Sequence, residues 1–163
     1  MSTNDNLKES FAGESQANRK YLAFAKKADE EGYAGVAKLF RAAAEAETVH
    51  AMSHLRAMGA VKSTKENLEA AVAGETHEFE KMYPGFIEEA GKEGAAQAKR
   101  SFELANEAEK VHAGLYQKAL EALEQKVDQD YYVCEICGNL HVGSAPDKCS
   151  ICGAPSSKFK NVG

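Results

Sequence analysis

Two Glu-x-x-His pairs, Glu47 with His50 and Glu109 with His112, constrain this chain more than any other feature. Residues three positions apart lie on the same side of an α-helix, so both side chains of a pair can reach one metal ion. Each pair interrupts a stripe of apolar residues at helical spacing. Carboxylates buried there cost several kcal/mol each unless they are paired or bind a metal. The pairs therefore predict a metal site inside a helical domain.

Four stretches of the chain repeat apolar residues at steps of three and four, which is typical of helices that bury one face. Ser63 and Glu66 form the capping pattern that begins the third helix. Pro84 and Gly85 predict a kink in that helix. The stretches run over residues 7–28, 36–57, 68–82 and 102–123, and together they predict an all-α four-helix bundle.

Further carboxylates repeat with the pairs. Glu14 precedes Glu47 by 33 residues, and Glu75 precedes Glu109 by 34 residues. Each half of the domain thus offers a helix with Glu, followed by a helix with Glu-x-x-His, as in di-iron carboxylate bundles. Oxygen ligands with imidazole suit iron or manganese. Glu78 is an extra carboxylate one turn after Glu75, so we expect this site to exchange ligands.

The four cysteines form two CxxCG loops, at Cys134 and Cys137 and at Cys149 and Cys152. Four thiolates suit zinc or a single iron, and the spacing does not choose between them. Zinc would make the segment structural, whereas iron would make it an electron carrier. The composition changes near residue 128, which predicts a helical domain over 1–127 and a small knuckle over 128–163. The knuckle is too short for its own core, so a metal must hold it.

Charge and hydropathy exclude two classes of protein. The net charge of −5 argues against binding to nucleic acid, which needs a basic surface. No apolar run is long enough to span a membrane. The first ten residues lack the basic and then apolar order of a signal peptide, so we expect a cytoplasmic location.

The short connector between helices two and three bears on assembly. In a ferritin-like bundle these helices run parallel, so the connector must cover roughly 30 Å. The residues from Gly59 to Ser63 reach only about 17 Å when extended. We therefore expect a homodimer in which helices one and two of one chain pack against helices three and four of another. An up-down-up-down bundle within one chain is the alternative.

Both sites together resemble those of rubrerythrins, over nearly the whole chain. This resemblance implies a ferritin-like di-iron domain followed by a rubredoxin-like FeS4 domain. It also implies reduction of hydrogen peroxide to water in an oxygen-sensitive microbe, as a defence against oxidative stress. The matching segments are FAGESQANRKY (11–21), EAETVH (45–50), AGETHEFEKMYP (73–84), EAEKVH (107–112) and YVCEICGNLHVGSAPDKCSICGAP (132–155).

The resemblance also implies roles for individual residues. His50 matches the ligand that replaces Glu78 when the iron is reduced, and Glu78 would move protons during this exchange. Tyr21 and Tyr83 match tyrosines beside the iron ligands. The residues that match ligands of the oxo- and carboxylate-bridged diferric site are Glu14, Glu47, Glu75, Glu78, Glu109 and His112, and those that match the FeS4 ligands are Cys134, Cys137, Cys149 and Cys152.

The resemblance further implies an electron route from FeS4 to the di-iron site, which we expect to cross a subunit boundary. A rubredoxin or an NAD(P)H-dependent reductase would reload FeS4. Asn139 and Ser150 depart from the family pattern, which often has an aromatic residue and Pro at these places. The departures remove no ligand, but they can shift the potential of the iron.

Three other functions remain open from the residues alone. An iron-storage protein of ferritin type would explain the bundle but not the knuckle. A sensor or interaction module with zinc in the knuckle would not be an enzyme. An oxygen-using oxidase on the same di-iron scaffold would need a pocket for an organic substrate.

Overall fold

A computed structural model describes residues 2–163. The chain divides into two compact units, the first ending at Lys62 and the second running from Ser63 to Gly163. Helices make up the first unit, and helices followed by a small sheet make up the second.

The first unit is a hairpin of two long helices, α1 (Thr3–Glu30) and α2 (Ala34–Ala57). Helix α1 begins at a capping box, in which Ser2 and Asp5 satisfy each other's backbone N–H groups. Gly32 makes the tight turn between the helices with φ +83°, a conformation that favours glycine. Small side chains allow α1 and α2 to pack closely, and the buried ones are Ala25, Ala28, Ala37, Ala44 and Ala51.

The second unit opens with a long helical rod and an antiparallel partner. The rod consists of α3 (Thr64–His77), a π-helical turn (Glu78–Met82) and α4 (Tyr83–Lys92), and it packs against α5 (Ala96–Glu121). The predicted capping box of Ser63 and Glu66 is present. Pro84 has no N–H and would clash with the carbonyl of residue 80 in a regular α-helix. The wide turn, in which the Tyr83 N–H donates to the Glu78 carbonyl, lies just before this proline.

The end of the second unit is a three-stranded antiparallel sheet in the order β2-β1-β3. The strands are β1 (Tyr131–Cys134), β2 (Leu140–Val142) and β3 (Phe159–Val162). Tyr132 lies opposite His141 on β2 and Asn161 on β3. The two cysteine loops extend from this sheet, the first of them between β1 and β2.

The predicted fold class is confirmed, because long helices make up most of the chain and precede a small stranded segment with a four-cysteine knuckle. The boundary expected between residues 127 and 128 stays a prediction, as does the exchange of helices between chains. Among residues 2–163, no helix combines the length and apolar character needed to cross a membrane.

Candidate metal centres

The first unit brings together one of the predicted ligand sets. Glu14 lies on α1, and Glu47 and His50 lie on α2, with one possible ligand atom of each within 4.8 Å of the others. His50 Nδ1 is 3.0 Å from Glu47 Oε2 and 4.0 Å from Glu14 Oε1. Two carboxylates and an imidazole in this arrangement can hold one divalent cation.

The second unit repeats this arrangement with Glu75 on α3 and with Glu109 and His112 on α5. His112 Nδ1 is 2.6 Å from Glu109 Oε2 and 4.0 Å from Glu75 Oε2. The side chain of His112 is 17% exposed, whereas that of His50 is 56% exposed. The two ligand sets therefore share their geometry but differ in how they are covered.

The first cysteine loop covers His112. Its Nε2 lies 2.9 Å from the carbonyl oxygen of Gly138, the glycine of the first CxxCG loop. A carbonyl can only accept, so Nε2 carries the proton, and Nδ1 on the side of Glu75 and Glu109 would be available as a ligand to a cation bound between them. Ligand histidines usually donate their other N–H in this way. The second ligand set thus fits a metal ion.

The carboxylates of this set repel each other when no cation is bound. Burial, followed by the hydrogen bond and the charge of Glu109, raises the pKa of Glu75 to about 7, against the lowering effect of His112. Burial also raises the pKa of Tyr83, and the charges of Glu78, Glu109 and Glu75 raise it further. A divalent cation would relieve this concentration of negative charge.

Three of the predicted site residues, Glu78, Tyr21 and Tyr83, lie outside the two compact ligand sets. Glu78 is outside the compact set of Glu75, Glu109 and His112, although its charge reaches Tyr83. Two aromatic clusters hold the predicted tyrosines: Tyr21 packs with Phe24 and Phe40, and Tyr83 packs with Phe86 and Phe102.

An internal repeat relates the two helical pairs. Glu109 and His112 follow Glu47 and His50 by 62 residues, and Tyr83 follows Tyr21 by the same number. Glu75 follows Glu14 by only 61 residues, so the second copy has one extra residue between its glutamate and its tyrosine. The π-helical turn lies within this interval and accommodates the extra residue.

The four cysteines form the second centre, and none of them is part of a disulfide. The four Sγ atoms all lie within 4.8 Å of one another. The Sγ atoms of Cys134 and Cys152 are 3.6 Å apart, and so are those of Cys137 and Cys149. Metal–sulfur bonds of about 2.3 Å in a tetrahedron place the sulfurs roughly 3.8 Å apart. The cysteines therefore fit one tetrahedral metal ion.

Two matching turns shape this centre. Gly138 and Gly153 have φ of +78° and +77°, and their N–H groups donate to the carbonyls of Cys134 and Cys149. Burial acts to raise the pKa of the Cys149 thiol. Hydrogen bonds from the backbone N–H groups of Cys152 and Ile151, and from neighbouring thiols, act in the opposite direction and together lower this pKa to about 6. Burial raises the pKa of Cys137 and of Cys152. The loop thus stabilises a thiolate at Cys149 before any metal binds.

Sequence reasoning missed two features. The contact between His112 and Gly138 joins residues 26 positions apart, and local patterns carry no signal for it. Asn139 was noticed only as a departure from the family pattern, but its side chain is buried against the cysteines. A polar residue at a place where an aromatic one is common was the available signal.

The fold and the two sites define a class of protein, a helical carboxylate–histidine metalloprotein with an attached four-cysteine centre. Comparison with known proteins places the chain within that class. The sequence profile of rubrerythrin matches residues 5–120, and that of the rubrerythrin rubredoxin-like domain matches residues 132–160. The chain therefore belongs to the rubrerythrin family, and its cofactors are a di-iron site and one iron held by the four cysteines.

Relatives match along nearly the full chain. Rubrerythrin-2 of Clostridium acetobutylicum is 33% identical over 175 residues, which cover 97% of this chain and 95% of the relative. Nigerythrin of Nitratidesulfovibrio vulgaris is 37% identical over 172 residues, with 97% and 85% covered. A solved structure described as the fully reduced, all-ferrous state of nigerythrin has a TM-score of 0.61 and 36% identity, covering 99% of this chain and 87% of that one.

Proposed function

We propose that this protein is a peroxidase that reduces hydrogen peroxide to water, with electrons passing from the four-cysteine iron to the di-iron site. The contact of 2.9 Å between His112 Nε2 and the Gly138 carbonyl carries this proposal. It joins a candidate ligand of one centre to the loop that holds the other through one hydrogen bond. Iron storage does not require a hydrogen bond between the two centres, and a zinc-bound knuckle could not pass electrons through it.

This contact supports a different electron route from the one expected across a subunit boundary. His112 and Gly138 belong to the same chain and to the same unit, so the connection between the centres does not need a subunit boundary. Because the carbonyl accepts the Nε2 proton, the ring orientation depends on the loop that carries Cys137. We infer that electrons enter the ligand set of Glu75, Glu109 and His112 within one chain.

The reaction needs two electrons and two protons for each peroxide molecule, and it releases two molecules of water. Iron, when bound, supplies the electrons and polarises the oxygen–oxygen bond. The residues proposed to hold the pair are Glu14, Glu47, His50, Glu75, Glu78, Glu109 and His112, with Glu78 and His50 exchanging as the iron changes oxidation state.

Proton supply falls to residues near the second ligand set. Burial raises the pKa of Tyr83, and the charges of Glu78, Glu109 and Glu75 raise it further, so its hydroxyl stays protonated as a donor. We propose that Glu78 and Tyr83 move protons to the departing oxygen atoms, and that Tyr21 has the matching place in the first set.

We also propose that two chains complete each di-iron site by exchanging helices. The Ala60 N–H still donates to the Leu55 carbonyl at the end of α2, and α3 begins at Thr64. The four intervening steps span at most about 14 Å. Parallel helices with Glu47 and Glu75 at one level would need a connector of more than about 25 Å.

An open apolar groove in the second unit supports this assembly. It has a volume of about 500 Å³, and His112, Leu68 and Tyr116 are among its lining residues. The hairpin in turn exposes large apolar side chains. One of them, Val36 at 46%, lies on the same side of α2 as Glu47, because eleven residues make about three helical turns. The α1–α2 hairpin of a second copy is the proposed partner, so Glu14, Glu47 and His50 of one chain would meet Glu75, Glu109 and His112 of the other.

A complementation experiment tests the exchange. One chain would carry Glu14→Ala with Glu47→Ala, and the other Glu75→Ala with Glu109→Ala, under different affinity tags. An exchanged heterodimer contains one site with all its native ligands, so it should bind about half the native di-iron complement. A heterodimer without di-iron, or a native protein that is monomeric with a full site, would favour the bundle within one chain.

An anaerobic titration tests the peroxidase. The iron-loaded protein is reduced, and the visible ferric-thiolate band is followed after addition of either stoichiometric hydrogen peroxide or dissolved oxygen. Rapid return of the band with peroxide and slow return with oxygen is the expected result. A Glu75→Gln/Glu109→Gln variant should lose the fast phase because it lacks the di-iron site. A band that is indifferent to peroxide in the native protein would overturn the proposal.

The other parts of the proposal follow from the reaction. A rubredoxin or an NAD(P)H-dependent reductase would return electrons to the four-cysteine iron. The cysteines must stay reduced to hold iron, which favours a reducing compartment such as the cytoplasm. The activity would protect an oxygen-sensitive microbe from oxidative stress.

A further inference from the structure

The side chain of Asn139 is buried beside the four cysteines. The residue is 2% exposed, and its Nδ2 lies 3.7 Å from Cys149 Sγ and 3.4 Å from Ser150 Oγ. Its Oδ1 is buried and has no hydrogen-bond partner within residues 2–163. A buried amide is costly unless it is hydrogen bonded. The sulfur of Cys149 is therefore an important partner for this side chain.

The two cysteine loops provide an internal comparison. The Cys134 N–H donates to the Asn139 carbonyl at 2.9 Å, and the Cys149 N–H donates to the Ala154 carbonyl at 2.8 Å. Asn139 and Ala154 therefore have equivalent places in the two turns. Ala154 has no side-chain donor, so the structure places an amide at only one of the two equivalent positions.

We propose that Asn139 raises the reduction potential of the four-cysteine iron by donating its side-chain N–H to Cys149 Sγ. Reduction by one electron makes the iron and its four thiolates one unit more negative. A hydrogen bond to a ligand sulfur stabilises the more negative state and so favours ferrous iron. Backbone N–H groups of Ile151 and Cys152 also donate to this sulfur, which makes Cys149 a point where donors converge.

This inference goes beyond the peroxidase activity. It depends on iron at the four cysteines and not on what the di-iron site reduces. Asn139 would act through Cys149 as a positioning residue that sets how readily the centre gives up its electron. A higher potential favours loading from a donor and lowers the driving force for the next transfer.

A spectroelectrochemical titration of the full-length, iron-loaded protein tests this. Asn139→Leu removes the donor and keeps the branched shape of the side chain, and Ser150→Ala is the matched control that keeps the amide next to the sulfur. We expect Asn139→Leu to shift the ferric/ferrous equilibrium about tenfold toward ferric iron, which is about 59 mV lower for one electron. Ser150→Ala should shift it less than twofold. An Asn139→Leu protein with an intact ferric-thiolate spectrum and an equilibrium changed less than twofold would overturn the proposal.

A second measurement needs no substitution, and it decides the matter if Asn139→Leu fails to bind iron. The native chain is loaded with cadmium-113 at the cysteines, and scalar coupling is sought between the metal and the Asn139 side-chain amide protons. Coupling through Cys149 Sγ is expected. Its absence, with coupling to backbone amides of the loops detected, would contradict the hydrogen bond. Neither measurement uses peroxide, so failure of the peroxidase proposal would leave both results interpretable.

Discussion

His112 Nε2 and the carbonyl oxygen of Gly138 lie 2.9 Å apart, so a candidate ligand of the di-iron site is hydrogen bonded to the loop that holds the other iron. His50, at the matching place in the first helical pair, has a side chain that is 56% exposed. The internal repeat therefore produces two similar ligand sets, of which the second contacts the cysteine loop.

This contact predicts different effects for substitutions at the two histidines. Both His50→Gln and His112→Gln should weaken iron binding, because each removes an imidazole ligand. Only His112→Gln should loosen the first cysteine loop, because only His112 is hydrogen bonded to it. An ordinary hydrogen bond contributes about 0.5–1.5 kcal/mol to stability. Hydrogen exchange measured by mass spectrometry over residues 134–142 should be about two- to tenfold faster in His112→Gln. Equal exchange in the two variants would argue against the contact.

The raised pKa of Glu75 predicts how stability depends on pH in the metal-free protein. Its pKa is about 7 in the folded chain and 4.5 as the ordinary value, so between these values the folded state binds more protons than the unfolded state. The free energy of unfolding should therefore fall as pH rises through this window.

Glu75→Gln isolates this contribution because glutamine does not titrate. Thermal unfolding of the metal-free native protein and of the variant at several pH values should give difference curves with a slope between pH 4.5 and about 7. Over this window the difference in the free energy of unfolding between the two proteins should change by on the order of 1 kcal/mol, because solvent screens a partly exposed carboxyl. If native stability rises relative to that of the variant over this window, the assigned shift is wrong.

The π-helical turn predicts the effect of removing one residue. Deletion of Lys81 together with Pro84→Ala should leave a regular helix from α3 to α4, because both the extra residue and the proline are then absent. Glu78 would rotate relative to Tyr83, and misplacement of this kind can cost about a hundredfold in rate. Stopped-flow measurement of peroxide reduction and a crystal structure would check both expectations.

Pro84→Ala alone is the control for the deletion. The extra residue between Glu75 and Tyr83 remains in this variant, so we expect the wide turn to persist and the rate to change only a few-fold. A regular helix in Pro84→Ala would mean that the proline, rather than the extra residue, causes the turn.

Loss of one thiolate should inactivate the four-cysteine centre and leave the di-iron site able to react. Cys149→Ala should abolish the native ferric-thiolate band and donor-dependent peroxide reduction, because alanine offers no ligand and three thiolates leave the tetrahedral site incomplete. The di-iron site should still consume peroxide once after chemical reduction. Iron analysis and single-turnover measurements would check this, with Ser150→Ala as the neighbouring control. A variant that keeps donor-dependent turnover would show that electrons bypass the cysteine centre.

Local pattern was sufficient for much of this protein. Residues three and four apart share a helix face whatever the rest of the chain does, so the grouping of Glu47 with His50 and of Glu109 with His112 follows from helix geometry alone. The CxxCG spacing likewise brings two thiols and a glycine with positive φ into one turn. Those groupings needed no information about distant residues.

Other features depend on contacts between distant segments. The sequence predicted a kink at Pro84, but the structure has a π-helical turn just before it, within the interval where the repeat gains one residue. The burial of Asn139 depends on the approach of the two cysteine loops, ten residues apart in the chain. Propensity at a single position describes neither outcome, because each is decided by the neighbours that the fold provides.

The sequence by itself determined which chemistry this protein can hold: carboxylates and imidazoles at helical spacing for two metal ions, and four thiolates for a third. It did so because ligand spacing within a helix or a tight turn is a local property of the backbone. The tertiary structure decided that the Gly138 carbonyl meets His112 and that Asn139 meets Cys149. The first contact forms only when the sheet packs on α5, and the second only when the two cysteine loops meet, so both depend on the folding of the unit rather than on any local pattern.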